Sequence, residues 1–272
     1  MSVLNSAIKL MRKFIRICFT CFCKIPLRRR YCCICTSDIF MFVPASVSSY
    51  VFGRGSSVLP PLFDALETVG SDLSQFKCPK CGCHDRERHL FLYLSTTGII
   101  ERFNNAHILH FAPEEHLIPI IKAVNPIRYI RCDLFPKCPD DEKIDIMNIP
   151  YQNESFDILI ANHLLEHVLD YETALREIHR VLKKGGLAIL QTPFSRKLNN
   201  TMYDAGVNDD FSRSQLYGQN DHIRLFGSDI FRIIEEFGFI SKVVSHKDVL
   251  FNIDANIYGV NQNEPFSLFQ CK

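Results

Sequence analysis

From Asn105 onward, short β-rich runs alternate with helical patterns, and this alternation constrains the fold more than any other feature. Strands separated by crossover helices pack as a mostly parallel sheet covered on both faces. The pattern predicts strands at His107–Phe111, Ile127–Cys132, Phe156–Ala161, Leu187–Gln191, Ile240–Ser245 and Phe266–Gln270, with a short extra strand near Ile144–Ile146. Between the third and fourth of these runs, Tyr171–Leu182 sets Ala174, Leu175, Ile178, Val181 and Leu182 on one helical face, with a predicted stop at Gly185-Gly186. A chain of 272 residues has room for one α/β core and a small appendage. Its 47% apolar and 22% charged residues exclude a chain that is mainly disordered or fibrous. The expected organisation is a basic amphipathic helix over 1–30, a metal-binding module over 31–84, a linking helix over 85–104 and the α/β domain over 105–272.

Ten of the twelve cysteines precede Asp133, and two C-x-x-C pairs stand out among them. Cys32-x-x-Cys35 and Cys78-Pro-Lys-Cys81-Gly form two knuckles that together supply four thiolates to a tetrahedral zinc. Pro79 stiffens the second turn, and Gly82 permits the backbone conformation after its last ligand. Cys18-x-x-Cys21 competes with the first knuckle, and Cys33 adjoins it. Four thiolates leave no open coordination position, so the expected metal is structural. The pattern fits a reducing, cytoplasmic compartment better than a disulfide framework.

Residues 1–30 carry eight Lys/Arg and no Asp/Glu, which leaves 23 basic against 30 acidic residues in the remainder. Leu4, Ile8, Met11, Ile15, Cys18 and Phe22 share one helical face, opposite Lys9, Arg12, Lys13 and Arg16. The run Ile17–Cys23 is far shorter than the ~20 residues a membrane span needs. Three readings stay open for this head: a peripheral membrane contact, a helix docked on its own protein, and an organellar transit peptide. The acidic body is a poor partner for nucleic acid.

In an open α/β sheet, ligands bind beyond the carboxyl ends of the strands. The predicted strands end at Phe111-Ala112-Pro113-Glu114, at Cys132-Asp133 and at Ala161-Asn162-His163, with Asp145 near the end of the short extra strand. Asp133 is suited to a ribose diol, because a carboxylate accepts two hydroxyl hydrogen bonds at once, and Asp145 is suited to the exocyclic amine of an adenine.

The stretch D-I-M-N-I-P-Y-Q-N-E-S-F-D-I-L-I-A-N-H-L-L-E-H-V, followed by A-L-R-E-I-H-R-V-L-K-K-G-G, resembles the Rossmann-like S-adenosylmethionine-dependent methyltransferases of the type 11 group. C-P-K-C-G with R-E-R-H-L-F-L-Y-L, I-L-H-F-A-P-E and Y-G-Q-N-D-H-I-R-L-F-G resemble a subfamily with a zinc-binding front, which widens the match to about residues 31–272. The resemblance implies a seven-stranded, mostly parallel sheet with helices on both faces and an antiparallel last strand, preceded by a zinc-ribbon-like module. The candidate cofactor site at these strand ends comprises Ala112, Pro113, Glu114, Asp133, Leu134, Asp145, Ile146, Asn162 and His163. The usual glycine-rich loop is replaced here by Ala112-Pro113-Glu114-Glu115-His116; the subfamily carries the same A-P-E pattern, and Glu114 becomes a candidate partner for a methionine amino group.

Methyl transfer from a sulfonium asks the protein to position the acceptor and, for a hydroxyl, to take its proton. His167 and His222 are candidates for that proton, with Asp221 to orient His222 and Arg224 to grip an anionic or sugar-linked substrate. Arg86 and Arg88, before the linking helix, are candidates for substrate contact or for bracing the domain junction. The leading expectation is a methyltransferase acting on a small-molecule or glycan-type acceptor. An RNA base methyltransferase and a non-catalytic binding module are the alternatives.

Overall fold

The protein is described from a computed structural model. It describes residues 13, 15, 17–21, 23–24, 30–45 and 62–272, so the amphipathic helix expected over 1–30 lies largely outside the described residues. Among these residues no helix is long and apolar enough to cross a membrane. The chain divides into two units, the smaller including residues 71–92 and 250–262 and the larger including residues 62–70, 93–249 and 263–272. The smaller unit thus draws on a segment near the carboxyl terminus that the expected 31–84 module does not contain.

In the smaller unit, β1 (Arg30–Cys32) and β2 (Ser37–Ile39) form an antiparallel hairpin. Helix α1 (Asp85–Thr96) contributes its first residues, through Leu92, to this unit. Arg88 is fully buried there. Its guanidinium lies 3.8 Å from the centroid of the Phe42 ring. It donates to the carbonyls of Gln75 at 2.5 Å, Cys83 at 3.1 Å, Tyr258 at 2.9 Å and Gly259 at 2.6 Å. Arg88 therefore braces the small unit, and substrate contact is not what its donors serve. Gly259 sits at φ 62°, and a Cβ at this position would come within 2.3 Å of the Phe42 ring.

In the larger unit, β3 (Thr68–Val69) pairs with β9 (Phe194–Ser195) in a small antiparallel ribbon. The main sheet contains β4 (His107–Phe111), β5 (Arg128–Asp133), β6 (Glu142–Lys143), β7 (Phe156–Ala161), β8 (Leu182–Ile189), β10 (Phe239–Ser241) and β11 (Leu268–Cys271). Its order is β10-β11-β8-β7-β4-β5-β6. The pairs β4–β5, β4–β7, β5–β6 and β7–β8 are parallel, whereas β11 is antiparallel to both neighbours. This is the seven-stranded, mostly parallel Rossmann-like sheet that the sequence resemblance implied. Strand order reverses between β4 and β7, so the carboxyl ends of these two strands form the topological switch point.

Helix α2 (Ile118–Ala123) follows β4, and α3 (Tyr171–Val181) follows β7. Asp170 caps α3 by accepting from the Thr173 amide at 2.9 Å. Ala174, Leu175, Ile178 and Val181 form its buried face and share one core cluster with Leu159, Ala188 and Leu190. Two helices, α4 (Asp210–Leu216) and α5 (Ile230–Glu236), lie between β9 and β10.

Some boundaries differ from the sequence reading. The glycine pair does not stop α3; the helix ends at Val181, and β8 runs through Gly185 and Gly186. A Cβ on Gly186 would come within 2.8 Å of the Lys183 carbonyl oxygen, so the pair serves an irregular strand rather than a helix end. The linking helix expected to run to Phe103 breaks at Gly98, where φ is 70°, and resumes as a 3-10 turn over Ile99–Phe103.

Candidate functional site

The tips of β4 and β7 both carry a non-glycine residue in the left-handed region, Ala112 at φ 44° and His163 at φ 51°. Each such residue costs about 1 kcal/mol, and strain of this kind concentrates where a chain must present specific groups. Ala112 thereby supplies the turn that a glycine would otherwise make. Its amide donates to the Cys132 carbonyl at 2.8 Å.

Beneath this turn lies a buried relay. Tyr129 on β5 meets His110 Nδ1 at 2.9 Å, and His110 Nε2 meets Glu114 Oε2 at 2.8 Å. Glu114 Oε1 accepts from Asn162 Nδ2 at 3.1 Å, and Asn162 Oδ1 accepts from the Gln191 amide at 3.2 Å. A carboxylate can only accept, so His110 Nε2 carries the proton here and Nδ1 receives the Tyr129 hydroxyl. Burial would raise the Glu114 carboxyl, but the His110 and Asn162 donors outweigh it and hold the pKa at about 2. Burial likewise raises the Tyr129 hydroxyl. Both Glu114 oxygens are thus engaged within the sheet, and Pro113 beside it is half-buried.

Asp133 ends β5 and is paired in register with Lys143 of β6. The Ile144 amide donates to the Asp133 carbonyl at 3.1 Å, which sets Asp133 and Asp145 at the same edge on neighbouring segments. Each aspartate turns one oxygen back to its own loop. Asp133 Oδ1 accepts from the Phe135 amide at 2.8 Å, and Asp145 Oδ1 accepts from the Met147 amide at 2.9 Å. The second oxygen of each has no hydrogen-bond partner among the described residues. Leu134 is exposed beside Asp133, whereas Ile146 is 5% exposed and belongs to the core.

Past β7 the chain gathers a second polar cluster. His163 Nδ1 lies 3.8 Å from Glu166 Oε1, and its Nε2 lies 3.6 Å from Glu264 Oε1. Glu166 is 1% exposed. His167 Nε2 lies 4.0 Å from Glu166 Oε1, and the rings of His167 and His222 meet edge-on with centroids 4.7 Å apart. Two contacts bring the loop after α4 here. The Ile223 amide donates to the Glu166 carbonyl at 3.1 Å, and Arg224 donates to the carbonyls of Leu165 at 3.0 Å, Leu169 at 2.8 Å and Val168.

This cluster corrects two expectations. Arg224 is 4% exposed and holds the turn after β7, so its guanidinium is committed to backbone carbonyls and does not serve as a substrate grip. Asp221 lies against His167, with Oδ2 3.6 Å from Nδ1, while His222 Nδ1 pairs with the Tyr217 carbonyl at 2.8 Å. Asp221 therefore does not orient His222. Burial lowers the His222 pKa against an opposing pull from Glu166. Glu166 and Glu264 escaped the sequence reading, although Glu166 precedes His167 and falls at i+3 from His163.

The thiols of the smaller unit converge as well. Cys32, Cys78, Cys81 and Cys83 place their sulfurs within 4.8 Å of one another. Cys32 Sγ lies 3.8 Å from Cys81 Sγ and 3.4 Å from Cys83 Sγ, and Cys35 Sγ lies 3.9 Å from Cys78 Sγ. Sulfurs at ~2.3 Å from a tetrahedral zinc are roughly 3.8 Å apart, whereas a disulfide is ~2.0 Å. The donor set fits zinc, with Cys83 added to the four expected ligands. Cys33 stands apart, pairing with the Arg88 carbonyl at 3.7 Å, and Cys18 and Cys21 are exposed. Gly82 adopts φ 90° between the last two thiols.

Residues 127–190 match the family described as a methyltransferase domain. This span runs from β5 through β8 and includes Asp133, Asp145 and the Glu166–His167 turn. The demethylmenaquinone methyltransferase of Staphylococcus epidermidis is 47% identical over 45 residues, covering 16% of this chain and 19% of that protein. That of Alkalihalophilus pseudofirmus is 44% identical over 43 residues, covering 16% and 18%. The chain thus aligns with less than a fifth of the length of these curated relatives. A solved S-adenosylmethionine-dependent methyltransferase from Mesorhizobium loti covers 65% of this chain and 96% of its own, at 12% identity and a TM-score of 0.46.

Proposed function

We propose that this protein is an S-adenosylmethionine-dependent methyltransferase acting on a small-molecule or glycan-type acceptor. The observation that carries this reading is the pair Asp133 and Asp145, each with a carboxylate oxygen left over at the carboxyl edge of a sheet whose β5–β8 span matches a methyltransferase domain. The residues fit the cofactor. Asp133 would accept from the ribose hydroxyls and Asp145 from the adenine amine. Leu134 would flank the base above the buried Ile146, and residues Ala112, Pro113, Glu114, Asn162 and His163 would lie along the methionine moiety. When bound, S-adenosylmethionine supplies a methyl group already made electrophilic by its sulfonium.

The protein's own task is then orientation and proton handling. His167 and His222, with Glu166 between them, are the groups an acceptor would meet, and Asp221 and Arg224 hold the turns that carry these histidines. The glycan-type or small acceptor is supported by the acidic body, which gives phosphate backbones no counterion advantage. The thiol cluster is read as a structural zinc site held by Cys32, Cys78, Cys81 and either Cys35 or Cys83, suited to a reducing cytoplasmic compartment. Residues 1–30 are read as a peripheral membrane contact. Methyl-tritiated S-adenosylmethionine offered with fractionated cell extract tests the acceptor: label in the glycan or small-molecule fraction is the expected result. Label in RNA would overturn the acceptor class, and no labelled fraction would overturn the activity.

A further inference from the structure

Glu166, His167 and His222 each bring one ligand atom within 4.8 Å of the other two. Backbone carbonyls fix the state of both imidazoles. His222 Nδ1 faces the Tyr217 carbonyl at 2.8 Å, and His167 Nδ1 faces the Asp221 carbonyl at 3.2 Å. A carbonyl only accepts, so each Nδ1 carries the hydrogen and each Nε2 keeps a lone pair. This is how histidine ligands are usually prepared for a metal, with the outer nitrogen tied to a carbonyl.

The carboxylate supplies an independent sign. Glu166 is 1% exposed, and its Oε2 is buried with no hydrogen-bond partner among the described residues. A carboxylate oxygen kept from water without a donor is costly, and a cation removes that cost. We propose that Glu166, His167 and His222 form a binding site for one divalent transition-metal ion. Two neutral imidazoles and one carboxylate suit Mn2+, Fe2+ or Zn2+ and leave coordination positions open. Neighbouring donors on such an ion are roughly 3–3.5 Å apart. The 4.0 Å between Glu166 Oε1 and His167 Nε2 therefore needs to close by no more than about 1 Å. His163 Nδ1 lies 3.8 Å from the same oxygen, Glu166 Oε1, and its Nε2 lies 3.6 Å from Glu264.

The site also narrows the substrate, a step that rests on the methyltransferase reading. An open position on a hard or borderline cation takes an oxygen, and a coordinated hydroxyl loses its proton to water more readily. The acceptor class is then a hydroxyl-bearing molecule.

Mn2+ is the probe, because thiolates prefer softer ions and one equivalent of zinc fills the Cys cluster first. The full chain, zinc-loaded, is titrated with Mn2+, and free aqueous Mn2+ is read by electron paramagnetic resonance. The expected result is about one Mn2+ bound per chain, with affinity at least roughly tenfold weaker in Glu166→Gln and in His222→Asn. Failure of the folded wild-type chain to retain Mn2+ overturns the proposal, whatever the variants do. Unchanged binding in variants that keep the wild-type circular dichroism also overturns it. S-adenosylhomocysteine binding measured alongside separates the two readings: cofactor binding without Mn2+ sinks only the metal site, and Mn2+ binding without the cofactor sinks only the methyltransferase reading.

Discussion

Asn162 at the end of β7 donates to Glu114 at the end of β4 across 3.1 Å, joining the two strands at the switch point. With His110 on the other oxygen at 2.8 Å, Glu114 is the buried pin of this edge.

Glu114→Gln should cost about 2 kcal/mol, because an amide turns a donor toward a donor and leaves one buried group unmade. The pH dependence has a definite sign. Glu114 falls from an ordinary 4.5 to about 2 in the folded chain, so the unfolded state binds its proton first on acidification. Its contribution, on the order of 3 kcal/mol, is present above about pH 4.5 and is lost as pH falls toward 2. Urea denaturation from pH 7 to pH 3 should show a steeper loss in the wild type than in Glu114→Gln. Parallel curves would contradict the assignment.

Arg88 is the corresponding pin of the smaller unit. Arg88→Lys should lose about 2–4 kcal/mol, since an ammonium cannot reach the several carbonyls the guanidinium fork serves. Gly259→Ala should destabilise through the same neighbourhood, because its Cβ meets the Phe42 ring in a backbone conformation that already favours glycine. Guanidinium denaturation with tyrosine fluorescence checks both, and a change under about 0.5 kcal/mol in either would contradict the packing account.

The thiol cluster offers five sulfurs for the four positions of the proposed zinc. Cys78→Ser should lose one zinc per chain relative to the wild type, while Cys33→Ser, outside the cluster, should keep the wild-type zinc content. Comparing Cys35→Ser with Cys83→Ser identifies the fourth ligand, because only one of them should drop zinc content. Plasma emission analysis reads all four. An unchanged, wild-type zinc content in Cys78→Ser would remove the cluster from the account.

How much of this was legible depended on whether the signal was local. β4 and β7 match their predicted ends: Ser155 and Asn162 bound the apolar run of β7, and β4 stops where Ala112 turns into the left-handed region before Pro113. The buried face of α3 was equally plain, but its end was not: Gly185-Gly186 reads as a helix stop, and only the folded strand shows that a side chain at Gly186 would meet the Lys183 carbonyl. Cys83 was missed because C-x-C lacks the knuckle spacing. Asp221 was assigned to His222 on adjacency, yet successive side chains in that loop diverge and Asp221 meets His167, 54 positions away. The carbonyls that hold Arg88 and Arg224 carry no side-chain signature, so no sequence pattern could have named them.

The claim on which the account most depends is that the Asp133–Asp145 edge binds an adenosyl cofactor, and calorimetric titration with S-adenosylhomocysteine tests it most directly. One molecule should bind per chain, and Asp133→Ala should weaken binding by roughly tenfold or more while leaving the melting transition in place. No heat of binding in the folded wild-type chain, or equal affinity in Asp133→Ala, would contradict it.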